Sequence, residues 1–299
     1  LIEKLVIKND FSHILSKLIL YNNFDEEEIF SINNTVRLTN PFIKENDFNI
    51  AIDILYNSII KKEKILIIGD YDVDGCVSTS LLVNFLNVLK VNNDYYIPNR
   101  FNDGYGASLK ILEKLIKKNP NLIIFVDNGS NSNQEINFLN KKGIKTIVID
   151  HHEIYEPYPK STALLNPKKK CGYSKFNYFC SSALTYFFID IIIKTKKVNF
   201  NLEKYLSLVL LSTISDVMPL RKLNRLIAIQ VLNKLDKYEI ELFNRIFKSK
   251  KINKPISIED LGFIIAPIIN SAGRIDDPNM IIELLTSEIE SKKEKIIQI

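Results

Sequence analysis

Four short apolar runs punctuate the first half of the chain: KILIIG (64–69), DYYIP (94–98), NLIIFV (121–126) and IKTIVI (144–149). Each is rich in β-branched or aromatic residues and bounded by Asp, Asn, Gly or Lys, which marks a strand rather than a helix. Between them the apolar positions recur at helical spacing. CVSTSLLVNFLNVLK (76–90) follows the first strand, SLKILEKLIKK (108–118) opens on Ser108 as an N-cap, and NSNQEINFLNKK (131–142) stops at Gly143. NDFNIAIDILYNSIIKK (46–62), with Asn46 as its cap, has the same period ahead of the first strand. Strands alternating with helices predict an α/β fold, a parallel sheet flanked by helices. Beyond residue 180 the pattern is helical: 181–194, 202–215, 224–237, and 257–265 behind a Ser257–Asp260 pair resembling a capping box. The second half is therefore expected to be mostly helical, with no internal repeat or low-complexity linker.

Composition narrows this little. At 299 residues, 46% hydrophobic and 25% charged, the chain is an ordinary globular protein able to bury a large core. Its net charge of +5 permits a polyanionic partner without requiring one, and tracts such as KKEK (61–64) read as solvated surface. The odd count of cysteines (Cys76, Cys171, Cys180) contains no C-x-x-C pair, which argues against disulfides or a zinc knuckle and predicts a cytoplasmic location. The longest apolar stretch, YFFIDIIIK (186–194), carries Asp190 and is too short to span a bilayer, so no membrane association is expected. The chain starts on Leu1 and stops inside a charged, helix-like run (286–299), so it is expected to be a piece of a longer protein.

The chemistry gathers after the strands. In a parallel sheet, ligands bind beyond the carboxyl ends. There the sequence places Asp70, Asp72 and Asp74; then Asn99, Arg100 and Asp103; then Asp127 and Asn128; then Asp150, His151 and His152. Three carboxylates at alternate positions repel one another unless a cation sits among them. DYDVDG resembles the start of an EF-hand, but Leu81 stands where the twelfth-position Glu belongs and a strand precedes the loop, which excludes that site. No G-K-[ST] follows a glycine-rich loop, and carboxylates occupy the place of a dinucleotide fingerprint. A mixed Asp/His set suits manganese, zinc or magnesium, and carboxylates that can bridge two ions fit a two-metal hydrolase of phosphate esters. Asp216, at the end of a helix that Pro219 terminates, faces the negative end of the helix dipole among apolar Ile214, Val217 and Met218, and reads as a further ligand.

GDYDVDG (69–75), VDNG (126–129), IDHH (149–152) and SDVMPL (215–220), in this order, resemble the motifs of the DHH phosphoesterase superfamily. PNRFNDGYG (98–106), ALLNPK (163–168), INSAGR (269–274) and the lead-in TNPFIKENDFNIAIDIL (39–55) resemble its RecJ-type branch of single-stranded-DNA-specific 5′→3′ exonucleases. The resemblance implies a lead-in over 1–45, a catalytic core over 46–285, and a connecting helix from 286 towards an absent C-terminal domain. It also implies two Mn²⁺ or Mg²⁺ ions, with Asp70 and Asp72 on one, Asp74, His151 and Asp216 on the other, and Asp127 bridging. Asp72, His152 and Asp150 take catalytic roles, His152 beside the scissile phosphate and Asp150 orienting a histidine. Arg100, Tyr105, Asn270 and Arg274 become candidates for contact with single-stranded DNA. A single-strand-binding protein and a helicase are the candidate partners, and the expected state is a monomer acting in DNA repair and recombination.

The chain departs from the resemblance at Ile268, where an arginine is usual, and at Ser181 and Ala183, where glycines are usual. The downstream G-G-H domain and OB-fold are missing, so a weaker grip on DNA is expected; a C-terminally extended chain that bound single strands no better would refute this. The alternatives are another DHH phosphoesterase (nanoRNase, phosphoadenosine phosphatase, cyclic dinucleotide phosphodiesterase or pyrophosphatase), a non-catalytic DHH scaffold, or a generic nucleotide-binding module.

Overall fold

The computed structural model describes residues 2–99, 104, 106–234, 241–252, 255–275 and 279–286. The four expected strands are present as β1 (Ile65–Ile68), β2 (Asn93–Tyr96), β3 (Leu122–Val126) and β4 (Lys145–Ile149). A fifth, β5 (Ala163–Leu165), completes a parallel sheet in the order β2-β1-β3-β4-β5. Only three residues long and stopped by Asn166-Pro167, β5 is too short to register as an apolar run. Among the described residues, ten α-helices run as far as residue 232: α1 (Ile2–Asn9), α2 (His13–Tyr21), α3 (Glu26–Asn33), α4 (Asn46–Ile60), α5 (Val73–Val88), α6 (Leu109–Leu115), α7 (Asn133–Lys141), α8 (Ser181–Lys196), α9 (Leu206–Ser215) and α10 (Lys222–Leu232).

The inner strands β1, β3 and β4 read as apolar runs because both faces of the sheet are covered, whereas edge strand β2 is half-buried. Ile65, Ile67, Ile124, Ile147 and Ile149 face α4, α5, α8 and α9 in the larger core. Leu66, Ile68, Ile123, Phe125 and Val148 face α6 and α7 on the other side. The neighbours α5 and α8 are buried along most of their length, which explains the apolar YFFIDIIIK run without any membrane. No helix among the described residues is long and apolar enough to cross one.

The winding direction reverses between β1 and β3: the chain leaves β1 for β2 on one side, then returns to place β3 on the other. Such a switch opens a crevice beyond the carboxyl ends of the two strands. GDYDVDG leaves β1 and VDNG leaves β3, so the topology alone brings both carboxylate loops to one cleft.

The N-terminal helices are not evident from spacing. Asp25 and Glu28 form a capping box on α3 (Glu28 N–H to Asp25 Oδ1, 2.9 Å; Asp25 N–H to Glu28 Oε2, 3.1 Å). Glu28 is 2% exposed and takes a bidentate pair from Arg221, the residue before α10. Burial would raise the Glu28 pKa, but the Arg221 hydrogen bond and charge hold it below the usual carboxylate range. The lead-in is thus fastened to the helix that follows Asp216.

Near the C-terminus the Ser257–Asp260 capping box is present. The helix it opens widens to a π-turn over Leu261–Ile265 before continuing as Ala266–Ile275. Ile268 packs against the larger core, so that position offers no charge.

Candidate metal centre

Asp70 lies two residues beyond the end of β1, and Asp72 caps α5 by accepting the Gly75 N–H at 3.0 Å. Asp74 follows in the first turn, fully buried. Its two oxygens accept the backbone N–H groups of Ser181 (2.7 Å) and Ser182 (2.9 Å). These open α8, whose own N-cap, Cys180, makes no side-chain cap. Asp74 therefore caps α8 from another element, with the positive end of the helix dipole at its carboxylate. The loop closes tightly on itself: a Cβ on Gly75 would stand 2.5–2.7 Å from the backbone N, C and O of Asp70.

Asp127 is fully buried at the end of β3 with φ 61°, a left-handed conformation that Asp tolerates. Its Oδ1 accepts the Ser181 hydroxyl at 2.9 Å. Asn128 ties the same turn to β1, donating to Ile68 O (3.2 Å) and Val126 O (2.8 Å). After β4, buried Asp150 accepts from Ser130 N (3.0 Å), His151 N (2.7 Å) and His152 N (3.2 Å), and pairs with His152 Nδ1 at 2.8 Å. Burial alone would raise the Asp150 pKa, but the hydrogen bond and charge of His152, with the Ser130 N–H, hold it well below the usual range. The same hydrogen bond raises the pKa of His152 to about 9 against the opposing effect of burial.

Asp216 caps the C-terminus of α9, and its Oδ2 lies 3.1 Å from His151 Nε2. Asp127 Oδ1 and Asp74 Oδ2 lie 3.4 and 3.8 Å from the same nitrogen. Neither ring nitrogen of buried His151 has a hydrogen bond of proper alignment, and Asp70 Oδ1 is buried without a partner. Oxygens and a nitrogen each about 2.1 Å from one ion stand about 3–3.5 Å apart, so this spacing suits ligands that close on a cation. The donor groups within reach of one another are Asp70–Asp72–Asp127, Asp74–Asp127–His151–Asp216 and Asp127–His151–His152. Asp127 belongs to all three.

Burial first, then neighbouring carboxylates, raise the pKa of Asp70 to about 7 and of Asp216 to about 6. Asp72 and Asp127 are raised by the same causes. Without ions the folded chain thus holds protons that an unfolded chain has released above about pH 4. The stability these groups contribute is present below that pH and is lost as pH rises through about 6 and 7. The Tm of the EDTA-treated chain is expected to fall between pH 4.5 and 7.5, with Mn²⁺ restoring it at the upper end. A flat or rising metal-free profile would contradict the cluster's electrostatics.

The corner at Asp216 differs from the expected apolar shelter. Val217 is 87% exposed, and Asp216 is screened by the cluster instead. The chain turns there by a Schellman motif (Val217 N–H to Ile214 O, 3.0 Å; Met218 N–H to Thr213 O, 2.9 Å), which places Val217 at φ 53°. For a branched side chain this conformation costs about 1–2 kcal/mol.

Asn270 accepts the Val73 N–H at 3.1 Å and donates to Ser215 Oγ at 3.4 Å, so its amide links the α5 entrance to the end of α9. Arg100 and Tyr105 lie outside the described residues, and Arg274 outside the described side chains. The ALLNPK motif gave no sign of a role for Asn166. That residue is fully buried and donates to Ser130 Oγ (2.7 Å) and His152 O (2.9 Å), bracing the histidine turn. An Asn-Pro after a three-residue strand carries no signal of that contact. The Ser181 hydroxyl is likewise visible only in three dimensions. Ser181→Ala removes its bond to Asp127 while keeping the N–H to Asp74, and is expected to weaken Mn²⁺ binding about tenfold by titration calorimetry. Unchanged affinity would show the hydroxyl to be idle.

The chain is a three-layer α/β domain with a carboxylate–histidine crevice at the switch point of its parallel sheet, where such folds bind their ligands. Residues 64–213 match the DHH family, N-terminal domain, and the chain belongs to that family. It is 35% identical over 258 residues to the single-stranded-DNA-specific exonuclease RecJ of Haemophilus influenzae, covering 82% of this chain and 45% of that protein. It is 32% identical over 254 residues to the Escherichia coli enzyme of the same name, covering 79% and 43%. The chain thus spans somewhat under half the length of these relatives. Its fold is similar to that of RecJ in complex with Mn²⁺ from Thermus thermophilus (TM-score 0.80, 19% identity, 99% of this chain and 42% of that one).

Proposed function

We propose that this chain is the catalytic core of a metal-dependent exonuclease that degrades single-stranded DNA from the 5′ end, acting in DNA repair and recombination. The observation that carries the chemistry is Asp127, common to a donor group on the β1 side and another on the β4–α9 side. Two ions would fit, one with Asp70 and Asp72, the other with Asp74, His151 and Asp216, and Asp127 between. The donor set of carboxylate oxygens with one imidazole suits Mn²⁺ or Mg²⁺. When bound, such ions polarise a phosphoryl group and make an attacking water more acidic.

The chain's own residues set the rest of the geometry. Ser181 and Ser182 orient Asp74, and the Ser181 hydroxyl orients Asp127. In the metal-free chain the Asp150 hydrogen bond raises the pKa of His152 to about 9. Its Nδ1 is engaged by Asp150, so Nε2 holds the proton offered to a phosphate oxygen or to the leaving oxygen. Its side chain is partly open to solvent. Arg100, Tyr105 and Arg274 are proposed to contact the strand, and Asn270 to hold the α5 entrance in register.

Single-stranded DNA as substrate is supported by the names of the matching relatives. A single-strand-binding protein and a helicase as partners, a monomeric state and a cytoplasmic location rest on the family likeness, the last also on three free cysteines. End-labelled single- and double-stranded DNA, with Mn²⁺ and a cyclic dinucleotide for comparison, tests the reading. Mononucleotides released from the 5′ end of the single strand are expected. Turnover of the cyclic dinucleotide alone would assign the chain to another DHH phosphoesterase activity.

A further inference from the structure

Asn166 follows β5, the three-residue edge strand, and is fully buried. Its Oδ1 accepts the Lys168 N–H at 2.8 Å, a bond within the turn around Pro167. A residue that served only this turn would need no more. Its two donor protons leave the turn instead: one goes to Ser130 Oγ (2.7 Å) beyond β3, the other to the main-chain oxygen of His152 (2.9 Å) beyond β4. Ser130 in turn donates its N–H to Asp150 Oδ2 at 3.0 Å, and Asp150 Oδ1 pairs with His152 Nδ1 at 2.8 Å. Asn166, Ser130, Asp150 and His152 thus form a closed circuit of hydrogen bonds across three strand ends. The sheet ladder runs into it, since Asp150 N–H donates to Leu165 O at 2.9 Å.

The circuit grips one residue at both ends. The His152 side chain is 43% exposed, so packing does little to fix its imidazole. Asp150 holds the ring nitrogen, and Asn166 holds the main chain from which the ring pivots. Between them they keep Nδ1 at 3.8 Å from Asp127 Oδ1, the carboxylate common to all three donor groups. We infer that Asn166 is a positioning residue for His152, fixing the imidazole beside the metal centre without itself touching ion or substrate. Asp would keep only the bond to Lys168, Ser offers a single proton, and Gln is a methylene too long. The short β5 then does more than widen the sheet, because it delivers this amide. The inference rests on the reading of the chain as a metal-dependent nuclease with His152 at the phosphate.

Asn166→Ala removes all three side-chain bonds, and Ser130→Ala removes one while keeping the N–H to Asp150. Asn140→Asp, at an amide that ties α7 to Lys160 O outside the circuit, is the control and should match the parent chain. On end-labelled single-stranded DNA with saturating Mn²⁺, kcat is expected to fall about thirtyfold for Asn166→Ala and about threefold for Ser130→Ala. KM and calorimetric Mn²⁺ affinity should stay within about twofold of the parent values. In a His152→Ala chain the same two substitutions should change the residual kcat by less than about twofold, because the group they position is gone. A metal-free measurement stands apart from turnover. With the three histidines ¹⁵N-labelled, the His152 Nδ1 proton held by Asp150 should exchange with water about tenfold faster in Asn166→Ala. An amide that only ends β5 would lower Tm with kcat and exchange unaltered, or would lower kcat equally in the His152→Ala chain; either result overturns the assignment. Should Asn166→Ala not fold, Ser130→Ala decides by the same comparisons. Faster exchange in a chain whose parent cleaves no single strand upholds the positioning and rejects the nuclease reading, and unaltered exchange there rejects both.

Discussion

Asp127→Asn is expected to lower Mn²⁺-supported hydrolysis of single-stranded DNA by on the order of 10³-fold while raising the thermal stability of the metal-free chain. The two effects have one origin. Asp127 is fully buried, and its pKa is pushed up first by that burial and then by the charges of Asp74, Asp72 and Asp216. With no cation present its charge is a liability, and the neutral amide keeps an oxygen for the Ser181 hydroxyl. With cations present it is the carboxylate that both donor groups share. Substitutions at Asp70 or Asp216 touch one group each and should act more mildly. Melting curves with EDTA and with Mn²⁺, beside initial rates, decide this. A variant that melts lower without metal, or retains more than about a tenth of the activity, would remove Asp127 from the centre.

Gly75→Ala should be the most damaging change that leaves every candidate ligand in place. The new methyl group would lie 2.5–2.7 Å from three backbone atoms of Asp70, and backbone cannot rotate aside as a side chain can. Either Asp70 or the first turn of α5 must move, carrying Asp72 and Asp74 with it. Overpacking of this kind costs about 1–3 kcal/mol. Because ligand geometry must hold to a fraction of an ångström, activity should fall by on the order of 10²-fold. Calorimetric Mn²⁺ binding close to that of the parent chain would show that the loop adapts.

Much of this arrangement was legible in the sequence because it depends on period and order. Apolar runs marked the four longer strands, and the carboxylates and histidines that follow them fell at one edge because parallel strands share a direction. What escaped depends on contacts between distant segments. The three-residue β5 is a strand only because β4 offers its edge. The helices α1 and α2 have exposed apolar positions at Ile7, Ile14 and Tyr21, which blur the helical period. The apolar neighbours of Asp216 suggested shelter, whereas a left-handed turn throws Val217 outward; nothing in a valine announces a positive φ.

The hydrogen bond from Val73 N–H to Asn270 joins positions 197 apart in the chain. During synthesis the β1 loop and its three aspartates emerge long before that partner. At about 5–20 residues per second, ten seconds or more separate the two. The entrance of α5 is therefore latched only after the sheet, α8 and α9 have been made. A long-range closure of this kind carries the loop-closing entropy that slows folding most. The strands and helices that carry the carboxylates are thus all synthesised before the residue that latches the α5 entrance.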